Sequence, residues 1–237
     1  MGALKVKFLI LTSPAWNPFN MIRLKKLGLA ICAVFMNFSA ISSELPAGFS
    51  KLKDVAPNII QDMRYYGSHN FTGNPVPGYK IPECWLKTEA AQALKDAQQE
   101  AEALGLKLVV FDCYRPQRAV LSFMKWAAND NNKTKKEFYP KLEKQNLFKQ
   151  GYIAEKSMHS TGLAVDIGIN GLNFGTPFDY FGKESWTKNS RTSQVTKNRN
   201  LLSDLLSKHN FVNYPREWWH FTYQTTEVAP AYDVEIE

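Results

Sequence analysis

The chain has 237 residues, 44% of them hydrophobic, and carries 29 Lys and Arg against 22 Asp and Glu, a formal net charge of +7. Five of the basic residues (Lys5, Lys7, Arg23, Lys25, Lys26) and none of the acids fall within residues 1–42, so the rest holds 24 basic against 22 acidic residues, a net of +2. A charge that small gives no electrostatic footprint for nucleic acid, and there is no internal repeat, low-complexity tract or nucleotide-binding Gly-rich loop to point to a solenoid or a phosphate-cradling fold.

In chain order, Met21-Ile-Arg-Leu-Lys-Lys26 is basic, Leu27 to Phe38 is apolar, and small residues follow at Ala40 and Ser42. This is the layout of a secretory signal. The apolar run is shorter than the roughly 20 residues that a membrane span requires. Residues 1–42 are therefore expected to be a signal peptide with an upstream extension, cleaved near Ser42/Ser43, with Met1 and Met21 both open as the true start. Residues 43–237 are expected to form one exported domain, periplasmic or secreted, with no stable membrane span in the mature form. Cys32 belongs to the signal, which leaves Cys84 and Cys113; in an oxidising compartment a disulfide and two buried thiols both remain open.

Phe49 to Gln61 reads as an opening strand. Asp62 to Tyr79 is rich in Gly, Pro and Asn, hence an ordered loop, and its Tyr65, Tyr66, Phe71 and Tyr79 suit it to a site wall. Thr88 reads as the N-cap of a helix with Glu89 in its first turn and apolar positions at Ala90, Leu94, Ala97, Ala101 and Leu104, ending before Gly105. Leu106 to Asp112 follows as a strand. Pro116 reads as the first residue of a helix with Val120, Phe123, Met124 and Ala127 on one face. Arg115 lies in the turn between them, at the C-terminal end of the strand, a usual place for chemistry.

Residues 129–151 are polar and weakly patterned, a surface loop with room for a short helix, and the lysines from Lys133 to Lys149 read as a solvated face. Gly162 to Ile169 has the composition of a buried strand: Leu163, Val165, Ile167 and Ile169 take one face, while Asp166 shares the other with Ala164 and Gly168. An aromatic loop runs through Phe174, Phe178, Tyr180, Phe181 and Trp186. A helix then carries Leu201, Leu202, Leu205 and Leu206 and ends near Asn210, followed by strands at Phe211–Tyr214 and about Trp218–Tyr223.

Two stretches hold the chemistry. Ser157-Met-His159-Ser-Thr-Gly162-Leu-Ala164-Val-Asp166 and Glu217-Trp-Trp-His220 supply two imidazoles and two carboxylates. A catalytic zinc takes three N or O ligands from the protein plus an open position, with a carboxylate nearby that is not a ligand. His159, Asp166 and His220 are the expected ligands of one Zn²⁺ per chain, and Glu217 the group that handles the proton of the attacking water. In a regular strand Glu217 and His220 would face opposite sides, so a shared metal requires Glu217 to lie in the turn after Pro215 or at a bulge. Trp218 and Trp219 are expected to be core and pocket wall, and His69 and His209 structural.

Those motifs, with Asn70-Phe-Thr-Gly-x-Pro-Val-x-Gly-Tyr79, Tyr114-Arg115-Pro116-x-Arg118-Ala-Val, Phe-Met-x-Trp-Ala-Ala at 123–128 and Gly151-Tyr-x-Ala, resemble the zinc D-alanyl-D-alanine dipeptidases of the VanX type. That group belongs to the larger family of D-Ala-D-Ala carboxypeptidases related in fold to the hedgehog N-terminal domain. The resemblance covers nearly all of residues 50–235. It implies a single-domain α+β fold, a central and mostly antiparallel sheet flanked by helices. It implies hydrolysis of the dipeptide D-Ala-D-Ala, with Glu217 as general base and Arg115 steadying the tetrahedral intermediate. Asp179 would then receive the substrate ammonium, and Ser157 and Tyr65 its carboxylate. Two departures stand out, the export signal and Cys113, where the group can have Gly. The neighbouring possibilities are a D,D-carboxypeptidase acting on peptidoglycan stem peptides and a zinc-containing binding module without turnover. The sequence leaves open the oligomeric state and the range of dipeptides taken.

Overall fold

The computed structural model describes residues 44–189, 192–226 and 228–237; the expected signal segment lies outside them. The chain enters through β1 (Phe49–Lys51), a single helical turn α1 (Leu52–Val55) and β2 (Ile60–Gln61), so the expected opening strand is two short strands split by a turn of helix. β3 (Trp85–Lys87) runs directly into α2 (Thr88–Ala103), and β4 (Leu108–Asp112) is followed by α3 (Gln117–Ala127). A helical turn α4 (Lys135–Phe138) precedes β5 (Ala164–Ile169), and the order closes with α5 (Ser193–Ser207), β6 (Phe211–Asn213) and β7 (His220–Tyr223).

The sheet has five strands in the order β2-β4-β5-β7-β6, antiparallel except for the parallel pair β2 and β4, and β1 pairs with β3 in a separate ribbon. The fold is therefore α+β with a mostly antiparallel sheet, as expected. All six residues of β5 are buried, on both faces of the sheet. Leu94, Ala97 and Ala101 of α2 and Leu202, Leu205 and Leu206 of α5 are buried in the same core. Burial of that apolar surface, at about 25 cal/mol per Å², is the main favourable term holding the helices to the sheet. Among the described residues, no helix is long and apolar enough to cross a membrane.

Register decides what the sheet presents. Asp112 of β4 stands opposite Asp166 of β5, and Asp166 stands opposite His220 of β7. Three neighbouring strands thus set a carboxylate, a carboxylate and an imidazole in one row. The β4–β5 pairing shifts register between Val110 and Asp112, an irregularity that bends a strand where its ladder ends.

Several local expectations move by one or two residues, each for a tertiary reason. Thr88 is the first helical residue rather than the cap: the cap position is Lys87, held in the β1–β3 ribbon, and the Thr88 hydroxyl donates to the Gly48 carbonyl at 3.1 Å. Pro116 is the cap rather than the first residue of α3, with an extended ψ of 143°. The inner face of α3 is carried by Trp126, and Met124 is half-buried. β4 starts at Leu108 because the Leu106 N–H bonds back to Ala101 and closes the end of α2. The polar tract 129–151 is anchored by buried Phe138, Tyr139 and Leu147, and the buried Lys144 ammonium bonds the carbonyls of Asn129 and Asn131 and the Asn129 side chain.

Two long-range fastenings brace the turn that carries Tyr114, Arg115 and Pro116. Cys84 and Cys113 form a disulfide, so the pair left open by the sequence is bonded. The C-terminal tail crosses the same region: Tyr232 N–H donates to the Ser160 carbonyl at 2.8 Å, Gln117 N–H donates to the Tyr232 carbonyl at 3.0 Å, and Val234 N–H donates to the Tyr114 hydroxyl at 2.8 Å. No sequence pattern announced this strap.

Gly162 closes the turn that precedes β5, with φ +78°, and a β-carbon there would stand 2.3 Å from a ring carbon of Phe49. Both the left-handed backbone and the ring contact oppose any side chain. Gly162→Ala should lower stability by about 3 kcal/mol, and the thermal midpoint by roughly 10 °C, as read by calorimetry of the purified protein.

Candidate metal centre

His159 sits on a single 3-10 turn, Met158–Thr161, whose cap is Ser157: the Ser157 hydroxyl oxygen accepts the His159 N–H at 3.3 Å. The His159 ring is buried, and its Nδ1 lies 2.7 Å from the Cys113 carbonyl oxygen. A carbonyl can only accept, so Nδ1 carries the proton and Nε2 keeps its lone pair. Nε2 faces Asp166 Oδ1 at 3.2 Å and His220 Nδ1 at 3.1 Å, and His220 Nδ1 stands 3.1 Å from the same oxygen.

With both rings neutral and His220 protonated on Nε2, three electron-pair donors form a nearly equilateral triangle. Tetrahedral coordination with bonds of about 2.0–2.1 Å puts neighbouring ligand atoms about 3.3 Å apart. The observed edges match that within a few tenths of an ångström, and the donor set fits a divalent ion with an open position. The carbonyl that fixes the His159 tautomer is the kind of outer partner that metal-bound imidazoles use. His159, Asp166 and His220 form a possible metal site. Burial opposes charge on Asp166, but a positive charge or a donated hydrogen bond from the imidazoles facing it outweighs burial and holds the carboxyl well below the usual range, so this carboxylate is ready to face a cation. Burial also lowers the His220 imidazole, which favours the neutral ring that a metal needs.

Glu217 lies in the turn after Pro215, its N–H bonded to the Tyr214 carbonyl at 3.0 Å, so the strand-parity conflict is resolved by the turn. Its Oε2 approaches His220 Nδ1 at 3.9 Å, beside the triangle but outside it. Burial holds this carboxyl well above its ordinary value, Asp166 and Asp179 push it further, and Arg115 offsets part of the effect.

Arg115 is enclosed, with Nε 2.9 Å and Nη2 2.8 Å from Asp112 Oδ2 and Nη2 3.5 Å from Asp166 Oδ2. The guanidinium rests 5.1 Å from the Tyr65 ring centroid and 5.2 Å from that of Phe123. Desolvation works against its charge, but Asp112 and its neighbours more than compensate, and Arg115 stays cationic.

Asp179 is buried in a left-handed backbone conformation, φ 62°, uncommon for a residue other than glycine. The Tyr65 hydroxyl donates to its Oδ1 at 3.1 Å, whereas its buried Oδ2 has no hydrogen-bond partner. Burial raises this carboxyl well above its usual value, and Asp166 adds to the rise. The Tyr65 hydroxyl is thus committed to Asp179, whereas the resemblance paired Tyr65 with Ser157.

All eight residues singled out from the sequence, Tyr65, Arg115, Ser157, His159, Asp166, Asp179, Glu217 and His220, line one cavity of about 550 Å³. Phe71, Phe123, Phe181 and Trp219 wall its inner part, and Met158 and Val212 stand exposed at its mouth. His69 and His209 do not line it; they pair with Glu137 at 2.8 Å and Glu100 at 3.2 Å.

A family model described as Peptidase_M15, D-Ala-D-Ala dipeptidase, matches residues 46–235. The D-alanyl-D-alanine dipeptidase of Enterococcus faecium is 33% identical over 193 residues, 78% of this chain and 96% of that protein. That of Enterococcus faecalis (strain ATCC 700802 / V583) is 35% identical over 182 residues, 73% of this chain and 90% of its own length. That of Escherichia coli (strain K12) is 29% identical, covering 73% of this chain and 84% of its own.

One residue central to this geometry escaped the sequence reading. Asp112 is fully buried, accepts the Tyr79 hydroxyl at 2.7 Å as well as the Arg115 guanidinium, and lies 3.5 Å from His159 Nδ1. The available signal was an acid ending the apolar run Leu108-Val-Val-Phe111, three residues before Arg115. Removing one partner of a buried pair costs about 3–5 kcal/mol, while removing both costs less. Asp112→Leu should therefore destabilise the protein by about that much, and Asp112→Leu combined with Arg115→Met by less than the sum of the two single changes, as measured by a urea-denaturation double-mutant cycle.

Proposed function

The chain belongs to the Peptidase_M15 D-Ala-D-Ala dipeptidase family and is a dipeptidase, and on that premise we propose that it is a zinc enzyme hydrolysing D-Ala-D-Ala to two molecules of D-Ala. The single observation that carries the zinc assignment is the triangle of His159 Nε2, Asp166 Oδ1 and His220 Nδ1, with edges of 3.1 to 3.2 Å. Zinc held there would supply a Lewis acid and lower the pKa of a bound water to about 7.

The remaining steps fall to the chain's own side chains. Glu217, next to the triangle but not part of it, takes the proton of the attacking water and passes it to the leaving amine, work that contributes about 10²–10⁴-fold. Its raised affinity for a proton suits a group that must hold one between two steps. Arg115, fixed by Asp112 and kept cationic, holds the oxyanion that develops on the scissile carbonyl. Asp179, with its unpartnered Oδ2 and its Oδ1 fixed by Tyr65, receives the dipeptide's ammonium. The Ser157 hydroxyl, which accepts from His159 through its oxygen, keeps its proton to donate to the substrate's carboxylate.

The same reading puts the mature chain in the periplasm or outside the cell, in the turnover of cell-wall peptides. The Cys84–Cys113 bond and the signal-like pattern of residues 21–43 support an oxidising compartment.

The test is turnover of free D-Ala-D-Ala against a stem pentapeptide, with and without a chelator. Hydrolysis of the free dipeptide should be lost on chelation and restored by Zn²⁺, and a preference for the pentapeptide would overturn the dipeptidase assignment. Glu217→Ala should bind one zinc per chain, as measured by metal analysis, while kcat falls about 10²–10⁴-fold. His220→Ala should lose both the metal and the activity.

A further inference from the structure

A zwitterionic dipeptide brings two charges into this cavity, and the residues described so far provide a charged partner for only one, since Ser157 offers the carboxylate a neutral hydroxyl. The inner part holds Asp166, Asp179 and Glu217, with Asp112 directly behind Arg115, four potential negative charges. Against them stand Arg115 and, in the reading above, a divalent ion and the substrate's ammonium, four positive charges in all. With all four acids ionised those cations are matched, so none of them is left for the substrate's carboxylate. Arg115 is committed to Asp112, and Tyr65 to Asp179. Asn213, another polar group on the cavity wall, is neutral and donates to the Glu217 and His220 carbonyls at 3.0 Å each.

The direction of the substrate follows from the same geometry. Asp179 and Tyr65 are buried, whereas Met158 and Val212, which line the same cavity, are exposed and mark its mouth. A dipeptide held by its ammonium at Asp179, with its carbonyl beside the triangle, sends its carboxylate toward the mouth. Lys156 lines the cavity there, exposed, in the segment leading into Ser157. It makes no hydrogen bond or ion pair with any described residue. The side chain combines a positive charge, a flexible reach and a neighbouring hydroxyl that can donate to the same group.

Resting on the dipeptidase reading, we propose that Lys156 recognises the free C-terminal carboxylate of the substrate and is a specificity-determining residue of this site. An ammonium facing a carboxylate makes a charge-assisted hydrogen bond about twice as strong as a neutral one, and a C-terminal amide forfeits it.

The experiment compares steady-state hydrolysis of D-Ala-D-Ala and of its C-terminal amide by the zinc-loaded parent, Lys156→Met and Lys156→Arg. The parent should prefer the acid. Lys156→Met should raise KM for the acid by about ten- to a hundredfold with kcat within about twofold, leave the amide's kcat/KM within about twofold, and so collapse the preference. Lys156→Arg should retain most of it. An unchanged acid-to-amide ratio in Lys156→Met would overturn the assignment while leaving the dipeptidase reading intact, and so would an equal loss on both substrates. A parent that cleaves neither would overturn the dipeptidase reading and this assignment together.

Discussion

Negative charge concentrated in a dry place is the constraint around which this structure is arranged. Asp112, Asp166 and Asp179 are almost fully buried and Glu217 is largely enclosed, all within or against one cavity. An isolated buried carboxylate is prohibitively costly, and such groups persist when they are protonated, paired or bound to cations. Each of the three outcomes has a place here. Asp112 is paired with Arg115, Asp166 faces two imidazoles at ion-ligating distances, and Asp179 and Glu217 are pushed toward their protonated forms. Neighbouring carboxylates with divergent environments are what acid/base chemistry at neutral pH requires.

The sheet converts that chemistry into geometry. Because Asp112, Asp166 and His220 stand in register on adjacent strands, their separations are fixed by strand spacing and not by loop conformation. A slip of β5 by one residue would turn Asp166 to the opposite face and present Val165 or Ile167 in its place. The six-residue buried strand prevents such a slip, since its apolar side chains would have to exchange environments together. The parts that do come from turns are tied down elsewhere: His159 through Cys113 and the tail at Ser160, Arg115 through Asp112 and the disulfide, and Asp179 through Tyr65.

How much of this was legible in the sequence depended on the range of the interaction. The strand Ala164–Ile169 and the helices α2 and α5 were readable because burial imposes periods of two and 3.6 on nearby residues. The convergence of His159, Asp166 and His220 on a possible metal site was readable from residue types, and the parity conflict between Glu217 and His220 even predicted the turn that the structure contains. Cap positions were misread at Thr88 and Pro116 because a paired ribbon and a braced turn, both set by distant residues, fixed those backbones. The strap from Tyr232 to Ile236 carries no periodicity, and its bonds reach to Gly78, Tyr114 and Ser160. Asp112 was passed over because one acid at the end of a strand looks like any strand end until its partner is known.

The burial of the residues around Asp179 bears on how the proposed preference for a free dipeptide over a longer peptide would arise. In a stem peptide the nitrogen preceding the terminal D-Ala-D-Ala is an amide, neutral and carrying more chain. Placed against Asp179, that amide could donate one hydrogen bond but would bring no charge, and its attached chain would have to pass through Tyr65, Phe71, Phe123 and Phe181, all nearly fully buried. In the proposed role of Asp179 a free ammonium would avoid both penalties, bonding the Oδ2 that has no partner and drawing the aspartate into its ionised form. Discrimination of this kind comes from what the wrong substrate leaves unpaired, and a buried polar group built for one partner rejects an analogue lacking it more strongly than added apolar contact could. The left-handed backbone at Asp179 fits that role, since local strain of about 1–3 kcal/mol persists only where the surrounding packing enforces it.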